Sequence, residues 1–375
     1  MKKNQYKKFC SEIIFTGTSF LKKKAIIIST ENKIIDIINC SKNDKILDGI
    51  ICPGFINSHC HLELSYLKKH FYKIKDFKKF IYKIKSINRT QNLSYNDLLL
   101  IKKIDDKMYK NGINVCADIV NTEITRKIKQ KSKIHYINFI EIFGLNNKLV
   151  NEKISNFYNL KRFFKHSYLT LHAPYSVCHL LLEKALKHAS KNNIFSIHFL
   201  ESNIENELFI EFQKFNLQKW EINNFTSSYS YQFIKKFPLN NNILLVHNTF
   251  LNYELYIDIL KKFSNVYFVI CPNSNLKLTK SLPPNFLLKN TERLCIGTDS
   301  ILTNTSSLSI INEINTILNY YGNQIKLETL LRAATYNGAK ALKVDNYYGS
   351  IELGKKPGLI LLLKTSNGFT PKRLV

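Results

Sequence analysis

From Pro53 onward the chain alternates short apolar runs with longer amphipathic stretches, and this alternation is the feature that most constrains its fold. The apolar runs read NVCADIV, KIHYINFIEIFG, SYLTLHAPYS, IFSIHFLES, NILLVHNTF, VYFVICPNSN and RLCIGTDS. Strands that alternate with amphipathic helices are typical of βα units around a parallel sheet. If the run that contains HCH is the first strand and the run that contains GTDS is the last, about eight strands are present, which predicts an α/β fold with a (β/α)8 TIM-like barrel.

Both ends of the chain have a different texture. The first fifty residues contain the runs EIIFTG, AIIIST and KIIDIINC, and the last residues read GSIELGKKPGLILLLKTSNGF. Short β-branched runs separated by Lys, Asn, Gly and Pro predict small strands. We therefore expect a small composite β-sandwich domain, built from residues 1–53 and 347–375, beside a barrel that comprises residues 54–346.

Two histidines stand one residue apart in PGFINSHCHLELS, which runs from Pro53 to Ser65. Residues i and i+2 of a strand point to the same face, so His59 and His61 can direct two imidazoles at one ion. Taken alone, such a pair is more often two hydrogen-bonding histidines than a metal site. The interpretation therefore depends on the other strands.

Polar residues stand at the ends of most of the other predicted strands, where barrel enzymes assemble their active sites. They are His172, His198, Glu201, His247 and Asp299. Two histidines from one strand, a third from another and one carboxylate make a site that suits Zn²⁺ or Fe²⁺. Such an ion lowers the pKa of bound water from 15.7 toward about 7, which predicts hydrolysis. Glu201 is equally compatible with a carboxylate that stabilises a helix N-terminus.

Seven motifs resemble those of the amidohydrolase superfamily, in its aminohydrolase and chlorohydrolase branch: PGFINSHCHLE, HAPYS, IHFLES, LVHNTF, CPNSN, GTDS and GSIELGKKPG. They occur in the order that is typical of the family and span nearly the whole chain. The resemblance implies that His59, His61, His198 and Asp299 bind one divalent metal ion, Zn²⁺ or Fe²⁺.

The same resemblance implies roles for the other polar residues. Glu201 would move a proton between the attacking water and a ring nitrogen, His247 would orient that water, and Asp299 would accept its other proton. His172 and Asn304, together with Glu201, would contact the substrate.

Finer features of the motifs narrow the reaction. The HxxE spacing of His198 and Glu201 is typical of family members that remove ammonia from a ring carbon. Members with two metals bridge them with a carboxylated lysine on the fourth strand, and the stretch His135 to Gly144, taken as that strand, contains no lysine. The absence of this lysine favours a single metal ion. PGFINSHCHLELS, HAPYSV and GTDSILTN are most similar to the aminofutalosine deaminases of menaquinone biosynthesis, which suggests 6-amino-6-deoxyfutalosine as the substrate.

Alternative functions stay open at this point. The same hydroxide could displace chloride or open a cyclic amide, and an amidohydrolase-like scaffold could have lost its chemistry. The formal net charge of +27 suggests a nucleic-acid partner. However, the excess is almost all Lys, dispersed along the chain and without a recognised binding motif. We therefore expect a small-molecule substrate and neither nucleic acid nor a membrane as partner, and the family resemblance suggests a homodimer.

The N-terminal segment MKKNQYKKFCSEIIF lacks the apolar stretch of a signal peptide, and no run approaches the length of a membrane span. A cytoplasmic location is the expectation. The eight cysteines are scattered without CxxC pairs, which predicts reduced and mostly buried thiols.

Overall fold

A computed structural model describes residues 6–87, 93–213, 229–304 and 307–375. Small parts of the predicted segments 1–53 and 54–346 therefore lie outside the described residues. The strands are β1 (Lys7–Phe15), β2 (Phe20–Ile28), β3 (Ile34–Asn39), β4 (Ile46–Pro53), β5 (Phe55–Cys60), β6 (Ile113–Val120), β7 (His135–Ile142), β8 (Ser167–Leu171), β9 (Ile194–Phe199), β10 (Asn242–His247), β11 (Val266–Ile270), β12 (Leu294–Ile296), β13 (Leu359–Thr365) and β14 (Gly368–Arg373).

Helices fill most of the connections between the strands from β5 onward. They are α1 (Lys68–Phe71), α2 (Phe77–Ser86), α3 (Tyr95–Lys110), α4 (Arg126–Lys131), α5 (Val150–Lys161), α6 (His179–His188), α7 (Glu205–Gln213), α8 (Tyr229–Ile234), α9 (Tyr253–Lys262), α10 (Pro272–Thr279), α11 (Asn285–Leu288), α12 (Ile310–Tyr321), α13 (Leu327–Arg332) and α14 (Gly338–Ala341). A π-helical turn, Ala333–Asn337, joins the last two.

Eight of the strands form two parallel sheets that follow the order of the chain. Their strand orders are β5-β6-β7-β8 and β12-β11-β10-β9. The sheets meet at both margins: Cys60 forms a parallel bridge with Asp299, and the N–H of His198 donates to the carbonyl of His172 at 2.9 Å. These contacts bring the ends of β5, β8, β9 and β12 together.

Alternate residues of these strands enter two different apolar clusters. In β6, Val115 and Ala117 belong to a cluster that takes side chains from both parallel sheets, including Ile56 and Val246. Cys116, which lies between them, belongs to a larger cluster that also contains the buried faces of the helices. Strands buried on both faces explain why the sequence shows continuous apolar runs here and little alternation.

Both ends of the chain contribute to one six-stranded sheet, in the order β14-β13-β4-β1-β2-β3. Strand β4 pairs in parallel with β1 and antiparallel with β13. One side of this sheet has its own apolar cluster, which includes Ile14, Ile26, Ile51 and Leu361. The sandwich arrangement and the boundaries at residues 53 and 347 stay predictions.

The predicted α/β class is confirmed, and the closure of the two parallel sheets into a barrel stays a prediction. The numbering of one strand was wrong. The sequence predicts that the stretch His135 to Gly144 is the fourth strand of the barrel. In the structure this stretch forms β7, which is the third of the parallel strands, because only β5 and β6 precede it in that series. The fourth strand is β8, which His172 follows directly.

Within the described part of the chain, no helix combines the length and the apolar character that crossing a bilayer requires. Seven of the eight cysteines are buried, and Cys40 is half-buried. This agrees with the prediction that they serve mainly as small apolar side chains.

Candidate metal-dependent active site

Three imidazoles converge at the carboxyl ends of the parallel strands. His59 lies in β5, His61 directly after it, and His198 in β9. The Nε2 atom of His61 lies 3.1 Å from Nε2 of His59 and 3.2 Å from Nε2 of His198. All three side chains are buried. The two histidines of the HCH motif therefore do point to one place, and a third from another strand joins them.

The chemistry of these nitrogens fits a divalent metal. Nδ1 of His198 donates to the carbonyl of His172 at 2.9 Å, and this bond directs Nε2 of the same ring toward the cluster. Burial, followed by the charges of His61 and His198, holds the pKa of His59 well below its usual range, which keeps this ring neutral. Converging lone pairs repel one another unless a cation lies between them, and neutral imidazole is a preferred ligand of zinc and iron.

Asp299 supplies a carboxylate beside the three rings. Its Oδ1 lies 3.6 Å from Nε2 of His61 and 3.9 Å from Nε2 of His59. Its Oδ2 accepts hydrogen bonds from the hydroxyls of Ser274 and Thr303, both at 2.7 Å. Burial alone would raise the pKa of Asp299, but the charge of His61 and the two hydroxyl donors outweigh it and lower the pKa. Asp299 is therefore ionised at neutral pH.

The close approach of Asp299 to His59 requires unusual backbone. Asp299 has φ +53° and His247 has φ +81°, in a region that residues other than glycine rarely adopt. At Gly297 an added Cβ would lie 2.8 Å from Cβ of His59, so a side chain at this position would push the two segments apart. Backbone strain of this kind is concentrated at functional sites.

Glu201 and His247 face each other next to the three histidines and Asp299. Oε2 of Glu201 lies 3.6 Å from Nε2 of His247, whose Nδ1 donates to Oδ1 of Asn275 at 3.1 Å. Burial lowers the pKa of His247 to about 4. Burial, followed by the negative charges of Asp299 and Glu205, holds the pKa of Glu201 well above its usual range. The site thus pairs a neutral imidazole with a carboxyl group that can carry a proton.

A cavity of about 740 Å³, including its open mouth, leads to these groups. Its inner end is lined by His61, His172, His198, Glu201, His247 and Asp299, and its walls include Leu64, Phe80, Ile81, Ile84, Phe143 and Tyr175. The cavity therefore combines the polar groups of the site with a largely apolar wall, in which α2 also contributes the cationic side chain of Lys85.

The two residues predicted to contact the substrate beside Glu201 differ in position. His172 lines the cavity, with Nδ1 at 2.8 Å from Oγ of Ser176. Asn304 is not among the described residues that line it; its Nδ2 donates to Oε1 of Glu313 at 2.7 Å, and it lines a neighbouring cavity. Contact between Asn304 and a substrate stays a prediction.

Several residues that hold the site were not predicted from the sequence. Ser274 and Asn275 could have been predicted, because both belong to the CPNSN motif. Glu141, in β7, lies with Oε1 at 4.0 Å from Nδ1 of His198, and no pattern in its strand distinguishes it.

Glu205 is the residue that most directly supports Glu201. Its carboxylate accepts hydrogen bonds from the N–H groups of Leu200 at 3.0 Å and Glu201 at 2.6 Å. Leu200 has φ +49°, so the turn after β9 is strained. The buried carboxylate of Glu205 therefore fixes the turn that presents Glu201 to the cavity.

Residues 50–375 match the sequence profile of the amidohydrolase family. The chain is 28% identical over 330 residues to an adenosine deaminase of Helicobacter pylori, which covers 83% of this chain and 78% of that protein. It is 27% identical over 370 residues to an aminodeoxyfutalosine deaminase of a Nitratiruptor species, which covers 92% of this chain and 86% of that protein.

Two solved structures are similar in fold. Aminofutalosine deaminase of Helicobacter pylori has a TM-score of 0.74 and 22% identity, over 97% of this chain and 93% of that one. An adenosine deaminase of Xanthomonas campestris with bound zinc has a TM-score of 0.74 and 18% identity, over 96% of this chain and 85% of that one.

We expect that His61→Ala lowers the zinc or iron content to a small fraction of one ion per chain, because the Nε2 atom that lies close to both other histidines is lost. Elemental analysis after metal loading and dialysis measures this content. His70→Ala, at an exposed position in α1, is the matched control and should keep its metal. Full occupancy in the His61→Ala protein would show that the ligand set is misassigned.

Proposed function

The chain belongs to the amidohydrolase family, and from this premise we propose that it is a mononuclear metal-dependent deaminase of an adenine-like ring in a small molecule. The observation that carries the proposal is the position of a protonatable carboxyl, Glu201, beside a cluster of three histidines and an aspartate at the end of an apolar cavity. Two relatives whose sequence similarity extends over most of the chain are an adenosine deaminase and an aminodeoxyfutalosine deaminase.

The metal ligands in this proposal are His59, His61, His198 and Asp299. A bound divalent ion supplies Lewis acidity, which makes a water molecule nucleophilic at neutral pH. Zinc is favoured over iron because the similar adenosine deaminase of Xanthomonas campestris carries bound zinc. One ion suffices for these four ligands.

Three side chains then divide the proton transfers. Glu201, with its raised pKa, donates a proton to a ring nitrogen, which makes the adjacent carbon electrophilic. Asp299, with its lowered pKa, accepts a proton from the attacking water, and the neutral Nε2 of His247 holds that water in place. Asp299 then passes its proton to the amino group and Glu201 takes the proton of the new hydroxyl, so the carbon–nitrogen bond breaks, ammonia leaves and a carbonyl remains on the ring.

The apolar wall of the cavity suits a flat heteroaromatic ring. Phe80, Phe143 and Tyr175 contribute aromatic faces or edges to it, and His172 lies at its inner end. Aromatic side chains bind planar rings by stacking and edge contacts. Displacement of chloride from a heteroaromatic ring would use the same water and the same protonated ring nitrogen, so the preference for deamination rests on the deaminases among the relatives.

We also propose that β5 to β12 close into a (β/α)8 barrel and that residues 1–53 and 347–375 form one β-domain beside it. The bridge between Cys60 and Asp299 and the hydrogen bond between His198 and His172 support closure at the two margins. Similarity in fold to the Helicobacter pylori enzyme over 97% of this chain supports the same arrangement.

The experiment that tests the function is ammonia release by the zinc-loaded or iron-loaded protein from a panel of amines. The panel contains 6-amino-6-deoxyfutalosine, adenosine, S-adenosylhomocysteine, guanine and cytosine. We expect turnover of one or more adenine-containing compounds, and preference for the first would assign the protein to menaquinone synthesis. Absence of ammonia from every compound, with metal bound, would refute deamination and favour dechlorination or amide hydrolysis.

We expect that Glu201→Gln keeps its metal but loses turnover by a factor of about 10² to 10⁴. The variant lacks the carboxyl group that carries the proton, whereas all four proposed metal ligands are unchanged. Elemental analysis and steady-state ammonia release measure the two quantities. Glu207→Gln, an exposed position in α7, is the control and should retain full activity. Near-normal turnover of the Glu201→Gln protein would remove Glu201 from the mechanism.

We expect that Glu205→Gln lowers kcat by about tenfold or more while KM and metal content change little, because the amide turns an N–H donor toward the N–H of Leu200 or Glu201. Steady-state kinetics separate kcat from KM, and Glu207→Gln again provides the comparison. A uniform loss of folded protein, metal and substrate affinity would indicate that Glu205 only stabilises the fold.

A further inference from the structure

A second cavity opens at the same end of the strands as the candidate active site. It is lined by segments that follow β5, β11 and β12 and measures about 920 Å³ with its open mouth. Among the described residues that line it there is no carboxylate, whereas four are lysines: Lys68, Lys75, Lys277 and Lys280. The cavity is therefore a concentrated region of positive charge.

The four ammonium groups of this lysine cavity repel one another. Lys277 is half-buried, and burial, followed by the charges of Lys68, Lys75 and Lys280, lowers its pKa. Like charges in a partly desolvated cleft raise the free energy of the protein. An anion that enters the cleft would offset the repulsion between the ammonium groups.

Two of the lysines already have a defined orientation. Nζ of Lys277 donates to the carbonyl of Leu302 at 2.6 Å, and Nζ of Lys280 donates to the carbonyl of Lys277 at 2.7 Å. An ammonium group has three N–H donors, and Lys280 also donates to the carbonyl of Leu276 at 3.4 Å, so Lys277 keeps two donors for a ligand and Lys280 keeps one. Because these side chains are held in place, binding costs less conformational entropy than it would at an extended surface lysine.

We propose that the lysine cavity binds a small polyphosphate, that is, a compact molecule with two or more linked phosphate groups. Two linked phosphates carry a charge of about −3 near pH 7, which four lysines can neutralise. Lysine binds phosphate as a point charge without a fixed angular requirement, so a cluster of lysines fits a compact anion of this kind.

Helix α10 connects this cavity to the candidate active site. Its residues Ser274 and Asn275 form hydrogen bonds with Asp299 and His247, and the same helix carries Lys277 into the cavity. A polyphosphate at the lysine cavity would therefore contact the helix that orients two of the catalytic side chains. Such a ligand is placed to change turnover without entering the active site.

The test is isothermal titration of the zinc-loaded full chain with inorganic pyrophosphate, which does not depend on any deaminase activity. We expect binding that weakens with added salt and that becomes weaker by about tenfold or more in Lys68→Met/Lys75→Met, which lacks two of the four charges. Lys127→Met/Lys131→Met, a pair of exposed lysines in α4, is the matched control and should bind like the wild type.

Pyrophosphate could also bind the zinc ion itself. Such binding would have the same affinity in the wild type and in both double variants. Equal affinity in all three proteins, or no binding up to about ten millimolar, would overturn the proposal. A second measurement on the unmodified chain covers the case in which the double variant fails to fold: pyrophosphate should protect Lys277 but not Lys127 from acetylation, as read by mass spectrometry. Equal acetylation of Lys277 with and without pyrophosphate would equally overturn it.

Discussion

The convergence of three imidazole nitrogens and one carboxylate oxygen on one buried point is the constraint on which the rest of this structure depends. Three imidazole nitrogens and a carboxylate oxygen lie within 4 Å of their neighbours in a buried region, where electrostatic interactions are strong. Such an arrangement is unfavourable without a cation, so the surrounding chain must hold these groups together. The strained backbone at Asp299 and His247 and the glycine at position 297 are consequences of this requirement.

The support for the site consists mainly of hydrogen bonds from the segments that follow the strands. Glu205 fixes the turn that carries Glu201, and Glu313 accepts the N–H of Asn273 at 2.8 Å and the amide of Asn304 at 2.7 Å. Burial raises the pKa of both supporting carboxyl groups to about 7. Buried polar groups of this kind define a unique geometry because each must find its partner.

Sequence analysis predicted the three histidines and the aspartate that the structure brings together, because they stand at the ends of apolar strands and because strand geometry places residues two apart on one face, as at His59 and His61. It could not identify Glu141 or Glu205, since each acts through contacts between segments that are distant in the sequence or through backbone N–H groups that no pattern marks. The misnumbering of β7 has a simple origin: the run that became β6 is itself a complete strand. Asn304 was chosen from a motif, and a motif does not specify which of two neighbouring cavities a side chain faces.

The pairing of β13 with β4 has a consequence for how the protein is made. Strands β1 to β4 leave the ribosome long before β13 does, and until then β4 presents an unpaired edge whose next neighbour has not been synthesised. An open strand edge is a template for association with other chains. The nascent protein is therefore expected to depend on chaperones for most of its translation, and a premature stop codon shortly before Leu359 would yield an aggregating product even though every residue of the candidate site is present.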